Sequence, residues 1–231
     1  VTQNQILTVN FGMREMVFTS CNEVTEIPTA QCNTLVALYD NTDGTHWTNQ
    51  AGWKQTNTPC SWYGVTCAGN AITRIELIEN NLTGFVPDLN DLTSLQVLQL
   101  NDNQISGSFP DVSALAATLQ GIYFRTNQLS GPLPAYFSTL TNLVGVDLGG
   151  NQLTGTIPDL SGLTHLVNLW LYDNQLTGSV PELSTLTQLQ VLNLSNNALS
   201  GPIPELSALT LLESLAFNGN QLTGPIPNLS T

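Results

Sequence analysis

A ten-residue motif occurs seven times in this chain, and it limits the possible folds more than any other feature of the sequence. Three close copies are NQLTGTIPDL (151–160), NQLTGSVPEL (174–183) and NQLTGPIPNL (220–229). Every copy has a glycine at its fifth position, and neighbouring glycines are 23 or 24 residues apart. These glycines are Gly84, Gly107, Gly131, Gly155, Gly178, Gly201 and Gly224. A fixed period of this length predicts a solenoid, in which each repeat forms one coil that stacks on the next.

The leucines that precede each motif indicate a short strand in every coil. In the second coil, Leu98 and Leu100 are two residues apart, so both side chains point to the same face of a strand. A single coil cannot bury that face. Stacked coils bury it against one another, and their strands are then expected to pair into a parallel sheet on the concave side of the solenoid.

The asparagine that begins each motif has a structural explanation. After the strand the chain turns inside the protein, where unpaired backbone groups are costly. An asparagine side chain both donates and accepts hydrogen bonds, so it can pair with those groups in its own coil and in neighbouring coils. We therefore predict a structural ladder of seven side chains. They are Asn80, Asn103, Asn127, Asn151, Asn174, Asn197 and Asn220.

Charge excludes several classes of partner. Only 9% of the residues are charged, the net charge is −13, and the fixed positive charges are Arg14, Lys54, Arg74 and Arg125. Nucleic acids and anionic membrane surfaces both require clustered lysine and arginine, so neither is expected as a partner. No apolar run approaches the roughly 18–20 residues of a membrane-spanning helix, so direct membrane insertion is not expected either.

The four cysteines, Cys21, Cys32, Cys60 and Cys67, all lie in the first third of the chain. Their spacing does not match a zinc site, so two structural disulfides are predicted, with three possible pairings. Disulfides persist in oxidising compartments, which predicts a secreted or cell-surface protein.

The full repeat, L-x-x-L-x-x-L-x-L-x-x-N followed by L-[ST]-G-x-[IVFL]-P, resembles the plant-type subclass of the leucine-rich-repeat family over residues 71–231. Members include plant receptor-kinase ectodomains, polygalacturonase-inhibiting proteins and bacterial surface proteins. The resemblance implies an α/β solenoid: a right-handed superhelix with a parallel concave sheet and a second strand on the flank of each coil. The convex segment is mostly one residue shorter than the subclass consensus, a departure that counts against a plant source.

Residues 1–70 are predicted to form an N-terminal cap that covers the first coil. The segment WKQTNTPCSWYGVTC (53–67) resembles the cap of the plant-type family. In that family the two cysteines of this element bond to each other. The resemblance therefore implies a Cys60–Cys67 disulfide, which leaves Cys21 to pair with Cys32.

The remainder of the cap is predicted from local pattern. The segment IPTAQCNTLVALYD predicts a short helix with Thr29 as N-cap, and ILTVNF (6–11) predicts an additional edge strand. Apolar residues of the helix are expected on one face, and three tryptophans are expected to fill the cap core in preference to binding a ligand. These residues are Leu35, Leu38, Tyr39, Trp47, Trp53 and Trp62.

No set of residues points to catalysis, a metal or a cofactor. His46 is assigned to the cap and His165 to the convex side. The repeated glycines belong to solenoid turns and not to phosphate-binding loops. The spacing in DNTDG (40–44) does not match a calcium-binding loop. The sequence predicts a protein that is not an enzyme.

Two columns of repeated residues allow alternatives. The residue after the motif proline is acidic in five coils of seven, which suits the start of a helical turn or, alternatively, a strip that binds divalent cations. This column is Asp88, Asp111, Ala135, Asp159, Glu182, Glu205 and Asn228. A hydroxyl precedes each motif glycine, which the subclass consensus requires; alternatively, this regular column matches an ice lattice. This column is Thr83, Ser106, Ser130, Thr154, Thr177, Ser200 and Thr223.

Outward-facing residues of the concave strands are where a solenoid places its function, because the repeat leaves them free. Numbering coils by their motif glycines, coils three to five carry aromatic residues, one arginine and one carboxylate flanked by glycines at 145 and 149. We expect a shallow trough with aromatic walls, the carboxylate on its floor and the arginine beside it. The candidate ligand-binding residues are Tyr123, Arg125, Asp147, Asn168, Trp170, Tyr172 and Asn193.

The predicted function is extracellular recognition or adhesion, with a protein, peptide or glycan bound on the concave face. The resemblance allows three alternatives: an inhibitor of a secreted wall-degrading enzyme, an ice-binding protein, and a structural spacer. The seventh copy keeps the full consensus with no atypical terminal coil, so we expect a piece of a longer surface protein, or an end that dimerises.

Overall fold

The computed structural model describes residues 17–227, so the predicted strand at 6–11 lies outside the described residues. The cap contains one α-helix, α1 (Thr29–Asn41), and three short 3-10 helices at Cys21–Glu23, Gly44–His46 and Pro59–Ser61. None of the helices in this range is long and apolar enough to cross a bilayer.

Helix α1 begins one residue earlier than predicted. Thr29 is its first helical residue, and Pro28 is the N-cap. The Pro28 carbonyl accepts the first helical hydrogen bond, from the backbone N–H of Cys32 at 3.1 Å, and no side chain caps the helix. The prediction of Thr29 as N-cap was wrong because the capping carbonyl belongs to the proline before it. Leu35 and Leu38 are fully buried, as predicted.

The tryptophans form the centre of the cap. Trp53 lies between the other two, with ring centroids 4.9 Å from Trp47 and 5.1 Å from Trp62, and all three are buried. The prediction that they pack in the core is therefore confirmed. Two disulfides, Cys21–Cys32 and Cys60–Cys67, fix the cap and match the pairing that the resemblance implied.

An eight-stranded sheet lines the concave side. Its first strand is antiparallel to the second, which the sequence did not predict, and all later neighbours are parallel. The cap contributes the first strand, β1 (Val65–Ala68). The first two coils contribute β2 (Ala71–Glu76) and β4 (Val97–Gln99), and the strand between them in the chain, β3 (Thr83–Gly84), belongs to the flank. The remaining concave strands alternate with flank strands along the chain: β6 (Gly121–Tyr123), β8 (Gly145–Asp147), β10 (Asn168–Trp170), β12 (Val191–Asn193) and β14 (Ser214–Ala216).

A second sheet of seven strands covers the flank and confirms the plant-type expectation. After β3 its members are β5 (Gln104–Gly107), β7 (Gln128–Pro132), β9 (Gln152–Thr156), β11 (Gln175–Gly178), β13 (Ala198–Pro202) and β15 (Gln221–Thr223). The cap joins this sheet through α1, because the carbonyls of Asn41 and Thr42 accept the backbone N–H groups of Phe85 and Thr83.

The asparagine ladder is present as predicted. Asn151 is representative: its Nδ2 donates to the carbonyls of Phe124 and Leu148 at 3.0 Å each, and its Oδ1 accepts the Leu129 N–H at 2.9 Å. Phe124 and Leu129 lie in coil three and Leu148 in coil four. The ladder residues from Asn103 to Asn220 therefore tie adjacent coils together while they satisfy buried backbone groups. The side chain of the first, Asn80, bonds instead to the backbone of Asn49 in the cap.

The acidic column on the convex side is built into turns. The carboxylates of Asp88, Asp111 and Asp159 each accept the backbone N–H two residues further on, at 2.8–2.9 Å. These hydrogen bonds hold the pKa values of Asp111 and Asp159 below the ordinary range. The turn interpretation therefore accounts for these three residues. Between residues 17 and 227, no group of three or more His, Cys, Asp or Glu side chains is arranged to hold a metal ion.

Candidate ligand-binding site

The concave sheet brings four of the predicted residues into one row across the strands. Tyr123 on β6 pairs in register with Asp147 on β8, Asp147 pairs with Trp170 on β10, and Trp170 pairs with Asn193 on β12. Because residues in register on neighbouring strands are about 4.8 Å apart, these side chains form a continuous line. The buried apolar residues on either side in each strand force them outward, as expected from the alternation of side chains along a strand.

The glycines of coil four support tyrosine rings and do not leave an open floor. A Cβ atom on Gly145 would overlap the Tyr123 hydroxyl, and one on Gly149 would overlap the Tyr172 ring. Both rings thus lie against bare backbone, which removes apolar ring surface from water. The expected trough is correspondingly shallower, and Asp147 is only 8% exposed between the rings.

Arg125 stands close to Asp147 but bonds elsewhere. Its Nη2 donates to Asp102 Oδ2 at 2.7 Å, and its backbone N–H donates to the side chain of Asn101 at 2.8 Å. Burial raises the pKa of the Asp147 carboxyl, and the charge of Arg125 opposes part of that rise. The direct partner of Arg125 is therefore Asp102 of coil two.

Asp102 belongs to a column that sequence reasoning missed. The residue before every ladder asparagine has a positive φ, between 49° and 68°. The column is Glu79, Asp102, Thr126, Gly150, Asp173, Asn196 and Gly219. Five of these seven are Gly, Asn or Asp, the types that tolerate this backbone region, so the signal was present in the sequence. The turn sets the acidic side chain of Asp102 against Arg125 of the next coil.

The two predicted asparagines differ in how far they are free to bind. The Oδ1 of Asn193 accepts hydrogen bonds from the Ser195 backbone N–H at 3.0 Å and from its hydroxyl at 2.6 Å, which fixes the amide. Asn168 lies in the adjacent row, where it pairs with Gly145 and Val191, and it is half-buried.

Asp147 is held in an environment that disfavours its charge. Burial raises its pKa, while the Gly149 N–H, which donates to Oδ1 at 3.1 Å, and the nearby charge of Arg125 oppose that rise. Asp102 adds a repulsive contribution. Burial also raises the pKa values of the Tyr123 and Tyr172 phenols, and the Asp147 charge raises them further.

Asp147→Asn is expected to stabilise the fold at pH 7. Because the folded-state pKa is raised, the ionised carboxylate destabilises the native state above that pKa, and the cost disappears as the pH falls to the unfolded value. Asparagine keeps an acceptor for the Gly149 N–H and removes the charge. Gains of this kind are typically about 0.5–2 kcal/mol.

Urea unfolding of the variant and the parent protein between pH 3.5 and 8 measures this effect. The stability difference should be largest at neutral pH and should vanish near pH 3.5, since Arg125, Asp102, Tyr123 and Tyr172 are common to both proteins. A variant that is less stable at pH 7 would show that the carboxylate contributes to folding.

Comparisons with known proteins extend these observations. Three family profiles match: a leucine-rich-repeat N-terminal domain at residues 30–68, a leucine-rich repeat at 94–114, and a two-copy leucine-rich-repeat unit at 164–208. Among curated proteins of Arabidopsis thaliana, receptor-like kinase TMK4 is 38% identical over 72 residues, which cover 31% of this chain and 8% of that protein. Pollen receptor-like kinase 1 is 40% identical over 75 residues, which cover 32% of this chain and 11% of that protein.

Solved structures match over most of the chain. The structure of Pollen Receptor Kinase 3 has a TM-score of 0.69 and 31% identity, covering 85% of this chain and 98% of that one. A plant ice-binding protein has a TM-score of 0.73 and 29% identity, covering 87% and 67%. The ectodomain of the Arabidopsis thaliana receptor kinase GASSHO1/SCHENGEN3, solved in complex with CASPARIAN STRIP INTEGRITY FACTOR 2, has a TM-score of 0.58 and 27% identity, covering 85% and 30%.

The coils, their flank sheet, the disulfide-bonded cap and these relatives agree. This chain belongs to the plant-type leucine-rich-repeat family, as an extracellular ligand-binding module.

Proposed function

We propose that this module binds an extended peptide, or an extended segment of a protein, on its concave face at coils three to five, and that it does so without catalysis. The observation that carries the proposal is the in-register row Tyr123, Asp147, Trp170 and Asn193. Tyr172 borders this row from the next one, over Gly149. We call these five residues the concave row.

The chemistry of the concave row suits recognition. Tyr123, Trp170 and Tyr172 are half-buried, so each ring is anchored on one side and presents its remaining surface to a partner. Tyrosine and tryptophan bury much apolar area for little loss of side-chain entropy, and they dominate measured interface energies. The carboxylate between them gives the apolar surface a fixed polar point, which provides orientation.

The size of the row sets the size of the ligand. The three strand spacings from β6 to β12 span roughly 14 Å, and an extended peptide advances about 3.3 Å per residue. The row therefore accommodates about four or five residues of peptide lying across the strands. The GASSHO1/SCHENGEN3 ectodomain, solved with a bound factor, supports a protein or peptide ligand. A partner such as a secreted wall-degrading enzyme would present a loop of the same length.

Trp170→Ala combined with Tyr172→Ala is expected to weaken peptide binding by at least about 100-fold, because two anchoring rings are lost from the centre of the site. The measurement uses arrays of random hexapeptides and of glycans, followed by calorimetry on the best binders. The matched control is Gln175→Ala with Thr177→Ala, two exposed residues of flank strand β11 in the same coil. Melting curves establish that both double variants are folded.

Equal binding by the parent protein and the Trp170→Ala/Tyr172→Ala variant would overturn the proposal. Binding that appears only on the glycan array would assign the site to a sugar ligand instead. If neither array yields a binder, the module acts as a spacer or uses the flank sheet.

Ice binding on the flank sheet is the second candidate, favoured by one observation. None of the seven described flank strands contains a charged residue. The structural similarity to a plant ice-binding protein is compatible with this use. The hydroxyl column is partly engaged in the fold, since Ser106 Oγ donates to the Gly84 carbonyl at 3.0 Å and Ser130 Oγ to the Gly107 carbonyl at 3.4 Å. Ice shaping that Thr156→Lys abolishes and Trp170→Ala retains would establish this candidate.

A further inference from the structure

Asp147 is the one carboxylate at the centre of the concave row, and its contacts leave one oxygen available. Oδ1 accepts the Gly149 N–H at 3.1 Å, and no other hydrogen bond to this side chain occurs among the described residues. In that part of the chain no fully buried side-chain nitrogen or oxygen lacks a partner. Since Oδ2 has none, it must reach the concave surface, where a ligand can contact it.

The positive charges of the described chain are already paired with other carboxylates. Lys54 Nζ lies 2.7 Å from Asp40, Arg74 donates to Glu76 at 2.7 and 3.2 Å, and Arg125 donates to Asp102 at 2.7 Å. None of these groups bonds to Asp147. A buried carboxylate without a cationic partner is costly, so its presence at this position calls for a partner from outside the fold.

The surroundings of the free oxygen select the type of cation. A metal ion needs several ligating groups, and no cluster of three His, Cys, Asp or Glu side chains occurs between residues 17 and 227. The neighbours of Asp147 are instead aromatic: Tyr123 and Trp170 in register on either side, and Tyr172 over the following glycine. Aromatic faces attract organic cations, and a guanidinium both stacks on rings and pairs with a carboxylate.

We infer that the bound peptide places an arginine side chain against Asp147, with its guanidinium between the rings of Tyr123, Trp170 and Tyr172. This inference rests on the proposed function and specifies its ligand. The net charge of −13 also favours the approach of a basic segment.

The test compares arginine with citrulline, which has nearly the same shape and no charge. Two N-acetylated, C-amidated hexapeptide pools carry arginine or citrulline at one fixed position and are otherwise random. The parent protein is expected to bind the arginine pool at least about 10-fold more tightly, and Asp147→Asn is expected to remove that preference. The control variant Glu182→Gln changes the net charge equally at an exposed convex residue and should keep the preference.

Each remaining outcome decides the question. If the parent protein binds both pools equally, or if Asp147→Asn keeps the preference, the inference is overturned. In that case loss of binding in the Trp170→Ala/Tyr172→Ala variant would still support the concave site for a neutral peptide. If neither pool binds the parent protein, the proposed function and this inference fail together. Melting temperatures confirm that each variant is folded.

Discussion

Phe124→Ala is expected to lower the free energy of unfolding by about 3–5 kcal/mol, the usual cost of truncating a buried aromatic side chain. Phe124 is fully buried and occupies the core position that Leu100 and Leu148 occupy in the adjacent coils. Its ring centroid lies 6.1 Å from that of Phe109, which in turn lies 5.9 Å from Phe137. Alanine would leave a cavity bordered by the Phe109 ring. A solenoid coil rests only on its neighbours, so little else can fill it.

Urea unfolding monitored by circular dichroism measures this loss, and Phe124→Leu is the matched control. Leucine is the residue that the repeat prefers at this position, so its cost should be about 1–2 kcal/mol. If alanine and leucine cost the same, coil three relaxes around the smaller side chain and the three phenylalanines do not form a rigid layer. Because Tyr123 and Arg125 flank Phe124 on the concave side, only the alanine variant should also disturb ligand binding.

Most of the fold could be predicted from the sequence because every repeat carries the same local pattern of leucines and asparagine. Two leucines at alternate positions determine the inward face of each strand, and stacking determines the parallel sheet. The asparagine ladder followed from the need to satisfy backbone groups at the turn, and Asn151 makes the bonds that this need predicts. The antiparallel strand β1 escaped prediction because it belongs to the cap, which contains no repeat to compare.

The candidate site was only partly predictable, because the repeat determines which side chains point outward but not what they contact. Alternation shows which residues point outward, and the register of Tyr123, Asp147 and Trp170 follows because each lies between the two inward residues of its own strand. Alternation does not show which neighbouring residues the outer part of a long side chain contacts. Tyr123 and Tyr172 fold back over glycines, and Arg125 reaches back to Asp102, because packing and ion pairing in three dimensions decide those directions.

The candidate site combines the destabilising charge of Asp147 with stabilising packing of the tyrosine rings. The tyrosine rings cover the glycines and shield Asp147, while the same shielding raises the pKa of its carboxyl. Strained or poorly solvated charges of this kind concentrate at functional sites, where the benefit is realised on binding. Coil four nevertheless keeps the ordinary core of the repeat, because Val146 and Leu148 are fully buried and Asn151 is its ladder asparagine.

Asn151→Ala is expected to cost about 3–4 kcal/mol, because the Leu129 N–H loses its side-chain acceptor and several hydrogen bonds to buried carbonyls are lost at once. The side chain is 8% exposed, donates to the carbonyls of Phe124, Leu148 and Gly149, and accepts the Leu129 N–H. A buried N–H left without a partner costs about 1–3 kcal/mol. The three carbonyls keep a second donor in Asn127, Asn174 and Thr126, so each lost hydrogen bond there costs only about 0.5–1.5 kcal/mol. Because the bonds join coils three and four, their loss should also uncouple the unfolding of the two halves of the solenoid.

The control for the ladder is Asn142→Ala, which removes a half-buried convex asparagine whose Nδ2 donates to the Ala117 carbonyl at 2.7 Å. Water can replace that partner, so the cost should stay below about 1 kcal/mol. Hydrogen exchange supplies a reading specific to the ladder: the Leu129 amide should exchange faster in Asn151→Ala and remain protected in Asn142→Ala. Equal destabilisation by the two substitutions would mean that the turn finds other partners, and that the repeated asparagine contributes to the turn conformation more than to the cohesion between coils.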